Sequence, residues 1–274
     1  MPSYETRDGT RLFYIDWGDG PPVLFVASWA LNADMWAYQM PFLVDRGLRC
    51  IAYDPRGHGR SDRPGHGYDY NTFADDLAAL IERLDLRGVT LVGHSIGGGV
   101  IVRYLTRHSA GRVARVVLLA PSTPFLLKTE DNPDGVDTAA FARDFPKWLA
   151  DNARPFVVAE TSPEMVQWVQ GLMLQCSLKA AIDLNRAQVA TDFRPELPGV
   201  TVPTLVIHGD VDVSAPLELT GRRTAALIPG ARLTVYEGAP HGLMFTHTDR
   251  LNADLLAFVG EGAPAEGAVP AAVG

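Results

Sequence analysis

The pentapeptide Gly93-His94-Ser95-Ile96-Gly97 constrains this chain more than any other stretch. Before it runs Val89-Thr90-Leu91-Val92, a short apolar and β-branched segment that reads as a buried strand. After it come Gly98-Gly99 and then Val100 to Leu105, which read as a helix. A G-x-S-x-G run between strand and helix is a sharp turn that lifts its serine to the top of a sheet. The glycines have a mechanical reason, because positions 93 and 97 must let neighbouring backbone pass where a Cβ would stand. Ser95 then sits at a helix N-terminus, which favours developing negative charge. A glycine-rich turn that merely contains a serine would need neither flank.

The rest of the chain extends this pattern. Tyr4 to Arg7 and Arg11 to Trp17, joined through Asp8-Gly9, read as a hairpin. Val23 to Ala27 and Arg49 to Asp54 are apolar strands of the kind that parallel sheets bury on both faces. Asn32 to Gly47 reads as one helix, and a second starts with Asn71 or Thr72 as its cap and carries Phe73, Leu77, Leu80, Ile81 and Leu84 at helical spacing. Val113 to Leu119 is the sixth strand. This alternation predicts an α/β fold with a mostly parallel central sheet and helices on both faces.

From Ser122 to Pro198 the strands stop. Helical patterns over Ala139 to Leu149, Glu164 to Gln175 and Leu178 to Val189 predict an all-helical lid inserted after the sixth strand. Its apolar residues Phe125, Phe141, Phe145, Trp148, Phe156, Trp168 and Met173 are candidates for lining a pocket, although apolar residues at helical spacing generally pack among themselves. Strands resume at Thr204 to His208 and Arg232 to Tyr236, with helices at Pro216 to Leu227 and Asp249 to Val259. The expected division is a core of residues 1–121 and 199–260, a lid of 122–198 and a disordered Gly-, Ala- and Pro-rich tail of 261–274.

Composition narrows the class. The 274 residues suffice for a full core, and 47% hydrophobic with 20% charged residues is ordinary for a globular protein. A net charge of −8 argues against nucleic acid, whose partners need basic patches. Two cysteines, no secretory leader and no membrane-length apolar run predict a cytoplasmic protein. Metal-ligand spacing is missing, and Gly97-Gly98-Gly99 lacks the dinucleotide-binding pattern, so neither metal nor cofactor is expected.

A serine nucleophile needs a base within hydrogen-bond reach and a group that orients the base. In an open α/β sheet these lie on loops at the carboxyl ends of strands. His241 occupies such a loop, between Pro240 and Gly242, and the order Ser, Asp, His suits this sheet type. His247 competes but opens the last helix, where capping or packing is expected. The orienting acid is Asp210 or Asp212, and spacing alone does not choose. Asp54 is expected to fix the arginine-containing loop that follows it. An oxyanion would take the backbone N–H of Ile96 and a second donor near Ser28-Trp29-Ala30.

Together these residues resemble the α/β-hydrolase superfamily, and within it the cofactor-free bacterial aryl esterases also called non-haem haloperoxidases or perhydrolases. The resemblance runs from Tyr4 to Val259. It rests on Leu31 to Trp36, Asp54-Pro55-Arg56-Gly57-His58-Gly59-Arg60-Ser61-Asp62, the elbow with its glycine run, Ala190 to Arg194 and Gly238-Ala239-Pro240-His241-Gly242. The family's H-G-x-x-D motif falls on His208, Gly209 and Asp212, so the resemblance implies a Ser95, Asp212, His241 triad. It likewise implies Trp29 as the second oxyanion donor. One departure is Ala27-Ser28, where the family usually has His-Gly, and Ser28 resists backbone conformations that glycine allows. Ala30 stands where peracid-forming members tend to carry proline, which implies plain ester hydrolysis. The expectation is a serine hydrolase of small aryl or short-chain esters, with Trp29, Phe125 and Leu243 touching substrate and a homo-oligomer as an open option. Perhydrolysis or lactone opening would use the same triad, and a non-catalytic ligand-binding protein would show binding without turnover.

Overall fold

The computed structural model describes residues 1–126, 142–153 and 156–261. Phe141 and all but one residue of the expected disordered tail lie outside the described residues. Eight strands among the described residues form one sheet. They are β1 (Ser3–Glu5), β2 (Arg11–Trp17), β3 (Pro22–Val26), β4 (Arg49–Tyr53), β5 (Val89–His94), β6 (Val113–Leu119), β7 (Thr204–Gly209) and β8 (Arg232–Tyr236). Their order is β1-β2-β4-β3-β5-β6-β7-β8. The opening hairpin is antiparallel and β2 meets β4 antiparallel, whereas β4 through β8 are parallel.

The inner parallel strands are largely apolar because both faces are covered, whereas the edge strand β8 is only partly buried. Successive side chains alternate between two cores, with Leu24, Leu91, Val116 and Leu118 on one face and Val23, Phe25, Val92, Val117 and Leu119 on the other. The first core is closed by α2 (Tyr70–Arg83) and α3 (Ile96–His108), the second by α1 (Met40–Val44) and α9 (Thr248–Gly260). The chain leaves β3 for β4 on one side and returns to β5 on the other. The carboxyl ends of β3 and β5 therefore form a switch point, where loops part and open sheets bind ligands.

Between β6 and β7 the described residues carry helices α4 (Phe145–Asn152), α5 (Pro163–Met173) and α6 (Leu178–Ala190). Each has Asp144, Ser162 or Ser177 accepting a backbone N–H at its start. Three expectations need correction. Asn32 to Gly47 is not one helix but a 3-10 turn at Ala33–Trp36 followed by α1. Pro41 has no N–H with which to continue a ladder across that point, and it serves as a helix start instead. The cap of α2 is Asp69, which accepts from Thr72 N–H at 3.0 Å, and not Asn71 or Thr72. The helix expected from Pro216 begins only at Gly221, as α7 (Gly221–Leu227), because the Thr220 hydroxyl takes the carbonyls of Ala215 and Pro216.

Candidate active site

Ser95 joins β5 to α3 with φ 54° and ψ −116°, a conformation most L-residues avoid. Such a residue costs on the order of 1–3 kcal/mol and persists only where its surroundings hold it. Here its N–H donates to the Leu119 carbonyl at 2.9 Å, and its own carbonyl accepts from Gly98 N–H at 3.0 Å. The flanking glycines make the turn feasible. A Cβ on Gly93 would stand 2.6 Å from the Gly97 carbonyl, and one on Gly97 would stand 2.6 Å from the Val26 carbonyl oxygen. Ala30 after β3 and Ala120 after β6 also have positive φ, at 58° and 41°. Left-handed alanine and serine residues thus cluster at three neighbouring strand ends.

Asp212 lies on the loop after β7 and is buried. One oxygen, Oδ1, accepts the N–H groups of Ser214 and Ala215 at 2.9 and 2.8 Å. The other, Oδ2, is 2.6 Å from His241 Nδ1 and 3.2 Å from His208 Nε2. Burial alone would raise the Asp212 pKa, but the charges and hydrogen bonds of His241 and His208 outweigh it and hold the carboxyl well below the usual range. A carboxylate only accepts, so His241 carries its proton on Nδ1 and leaves Nε2 with a lone pair. Asp210, on the same loop, instead accepts Gly238 N–H at 2.7 Å.

The other histidines have different work. His208, at the end of β7, is fully buried and touches Asp212 as well as the Ala215 carbonyl at 2.7 Å. The H-G-x-x-D motif that joins it to Asp212 is the sequence signal for this contact. His94 donates from Nε2 to the His241 carbonyl at 2.9 Å and so fixes the backbone of that loop. Burial first, then the nearby His241, push its pKa well below the ordinary value, so it stays neutral. His247 opens α9 and pairs with the Thr246 hydroxyl at 2.9 Å. Asp54 takes three hydrogen bonds from Arg60 at 2.8 to 3.0 Å and one from Ala33 N–H at 2.9 Å, fixing two loops at once.

Ser95, His241, Ser28 and Trp29 line one cavity of about 430 Å³. Its far wall comes from the inserted helices and includes Trp148, Phe156 and Met173. Phe145 packs edge-on against Trp29 at 5.9 Å, and Trp168 packs on Tyr38 and Phe245, so neither lines the cavity. Phe125 and Leu243 are not in its lining either. Phe125 lies under the Arg194 guanidinium at 4.3 Å, and Leu243 is fully buried in the second core. Ser28 causes no strain, since the left-handed position of that loop is Ala30. The Trp29 indole donates to the Ala181 carbonyl of α6 at 2.9 Å, which ties the β3 loop to the inserted helices. Among the described residues no cluster of three or more His, Cys, Asp or Glu side chains is arranged to hold a metal ion. No described helix is long and apolar enough to cross a membrane.

Residues 21–248 match the family described as alpha/beta hydrolase fold. The chain belongs to that family. Among similar proteins, a non-heme chloroperoxidase of Kitasatospora aureofaciens is 42% identical to this hydrolase over 94% of its chain and 99% of the relative. A bifunctional esterase/perhydrolase of Acinetobacter calcoaceticus is 39% identical, covering 93% and 98%. An esterase from Exiguobacterium antarcticum superposes with a TM-score of 0.90 at 32% identity, over 94% of this chain and 98% of that one.

Proposed function

We propose that this hydrolase cleaves small carboxylic esters through an acyl-enzyme on Ser95. The observation that carries the reading is that Ser95, in its strained turn, lines the same cavity as His241, whose Nδ1 is tied to Asp212. His241 Nε2 accepts the Ser95 hydroxyl proton as Oγ attacks the acyl carbon. Asp212 keeps the imidazole in this tautomer and stabilises the imidazolium that forms. Ile96 supplies the first N–H of α3 and Trp29 a second backbone N–H to the oxyanion. His241 then protonates the leaving alcohol and activates the water that releases the acid. Helices α4 to α6 act as a lid, and a cavity of about 430 Å³ suits a small substrate. Two buried free cysteines accord with a cytoplasmic setting.

A second reading, perhydrolysis, is favoured by relatives named as chloroperoxidase and esterase/perhydrolase. There hydrogen peroxide replaces water in deacylation and a peracid leaves. One experiment tests both. Turnover of p-nitrophenyl acetate and butyrate is measured for the wild type and Ser95→Ala, and peracid formation from acetate plus peroxide alongside. We expect ester turnover that falls by about 10⁴ or more in the variant, and the peroxide arm ranks the two reactions. A folded wild type inert in both arms, or a fully active Ser95→Ala, would overturn the proposal.

A further inference from the structure

The cavity wall that α6 contributes is not wholly apolar. Asn185, on α6, lines it and is only 6% exposed. Its Oδ1 is buried with no hydrogen-bond partner. Of the three other amides in the lining, Asn152 donates to the Trp148 carbonyl at 2.8 Å and Gln170 to the Leu149 carbonyl at 3.5 Å, while Gln188 is only half-buried further along α6. A buried carboxamide left unpaired is unfavourable in the empty cavity and is relieved by a ligand that pairs with it.

Position sets where that ligand group must lie. Ala181, one helical turn before Asn185 on the same face of α6, accepts the Trp29 indole N–H. Asn185 is therefore about 6 Å along the helix from the residue that anchors Trp29. Asn185 and Ser95 line the same cavity, so a substrate that fills it meets both.

We propose that Asn185 is a specificity-determining residue that selects esters bearing a hydroxyl group over their plain alkyl counterparts. A hydroxyl both donates and accepts, so it satisfies Oδ1 or Nδ2 whichever end of the amide faces the ligand. This rests on the ester hydrolase reading above and names the substrate class of that site.

The test compares ethyl butyrate with ethyl 2-hydroxybutyrate and ethyl 3-hydroxybutyrate by acid release, for the wild type, Asn185→Leu and Asn185→Ser. The wild type is expected to favour at least one hydroxy ester over the plain ester by about tenfold in kcat/KM. Asn185→Leu is expected to erase that preference, mainly by raising KM for the hydroxy ester. Asn185→Ser, which keeps a hydrogen-bonding group, is expected to retain part of it. The wild-type ratio stands as a readout even where a variant folds poorly. Hydrolysis of all three esters with no hydroxyl preference, or a preference unchanged in Asn185→Leu, overturns this inference and leaves the hydrolase reading standing. Wild-type activity no greater than that of Ser95→Ala on every ester overturns both.

Discussion

Asp212 accepts from four donors, the N–H groups of Ser214 and Ala215 and the rings of His241 and His208. Asp210 reaches only the Gly238 N–H among the described hydrogen bonds. The two acids should respond very differently to the same change. Asp212→Asn presents an amide to His241 and no longer holds the imidazole tautomer that frees Nε2. The kcat on p-nitrophenyl butyrate should fall on the order of 10⁴ with KM little changed. Asp210→Asn should stay within about threefold of wild type, since its partner lies in the loop and not in the cavity. The reverse ranking in steady-state kinetics would reject the assignment. Residue spacing alone could not make this choice, because both acids sit on the correct loop. The choice depends on which way the turn at Ser214 and Ala215 aims its N–H groups, and those meet Asp212. The same limit explains Phe125 and Leu243. Both are apolar and only Leu243 is close in sequence to a site residue, but Arg194 claims the first and the core the second.

Element by element, strands were the more legible. The inner parallel strands are short, largely apolar runs rich in β-branched residues because two cores need their alternate side chains. Helix ends were less legible, since several polar residues in a row can each cap. At the start of α2, Asp69, Asn71 and Thr72 all qualify. Tyr70 decides among them by burying its ring against Phe193 at 4.8 Å, which commits residue 70 to the helix and leaves Asp69 outside it. Asp69 then accepts both the N–H and the hydroxyl of Thr72, at 3.0 and 2.9 Å. Asp69→Ala should cost about 1 kcal/mol of stability, read as a shift in the denaturant midpoint at constant m. Turnover should be unchanged, because α2 lies on the face of the sheet away from His241. Asn71→Ala should have little effect on the midpoint, and a larger effect there than at Asp69 would move the cap.

For the whole molecule, buried histidines set the acid limit of stability. His58 is 1% exposed, donates from Nδ1 to the Arg56 carbonyl at 2.8 Å and leaves Nε2 unpaired in the core. Burial lowers its pKa from 6.5 to about 4, against a smaller opposing pull from that hydrogen bond. His94 is displaced in the same direction, again chiefly by burial. The unfolded chain binds protons at these two sites once pH drops below 6.5, while the folded protein still excludes them. Their contribution is therefore fully present above pH 6.5 and is lost as pH falls, for His58 until the folded ring itself protonates near 4. Each site contributes up to about 1.4 kcal/mol per pH unit inside its window, and His58 about 3 kcal/mol in all. Carboxylates held below their usual range, such as Asp8 and Asp212, act only below that window, because their unfolded value is 3.8, whereas Asp76, which burial raises to about 6, takes up a proton in the fold within the window and offsets one of the two histidines. Denaturant titrations at steps from pH 7.5 to 4.5 should thus show a net fall in unfolding free energy, since two histidines outweigh the one raised carboxyl. The slope is the readout, so His58→Gln remains informative even if it is less stable at every pH. Its slope between pH 6.5 and 4.5 should drop by about one proton relative to wild type. A His58→Gln slope equal to that of the wild type would mean that the folded His58 ring titrates near its ordinary 6.5 and is not held neutral by burial.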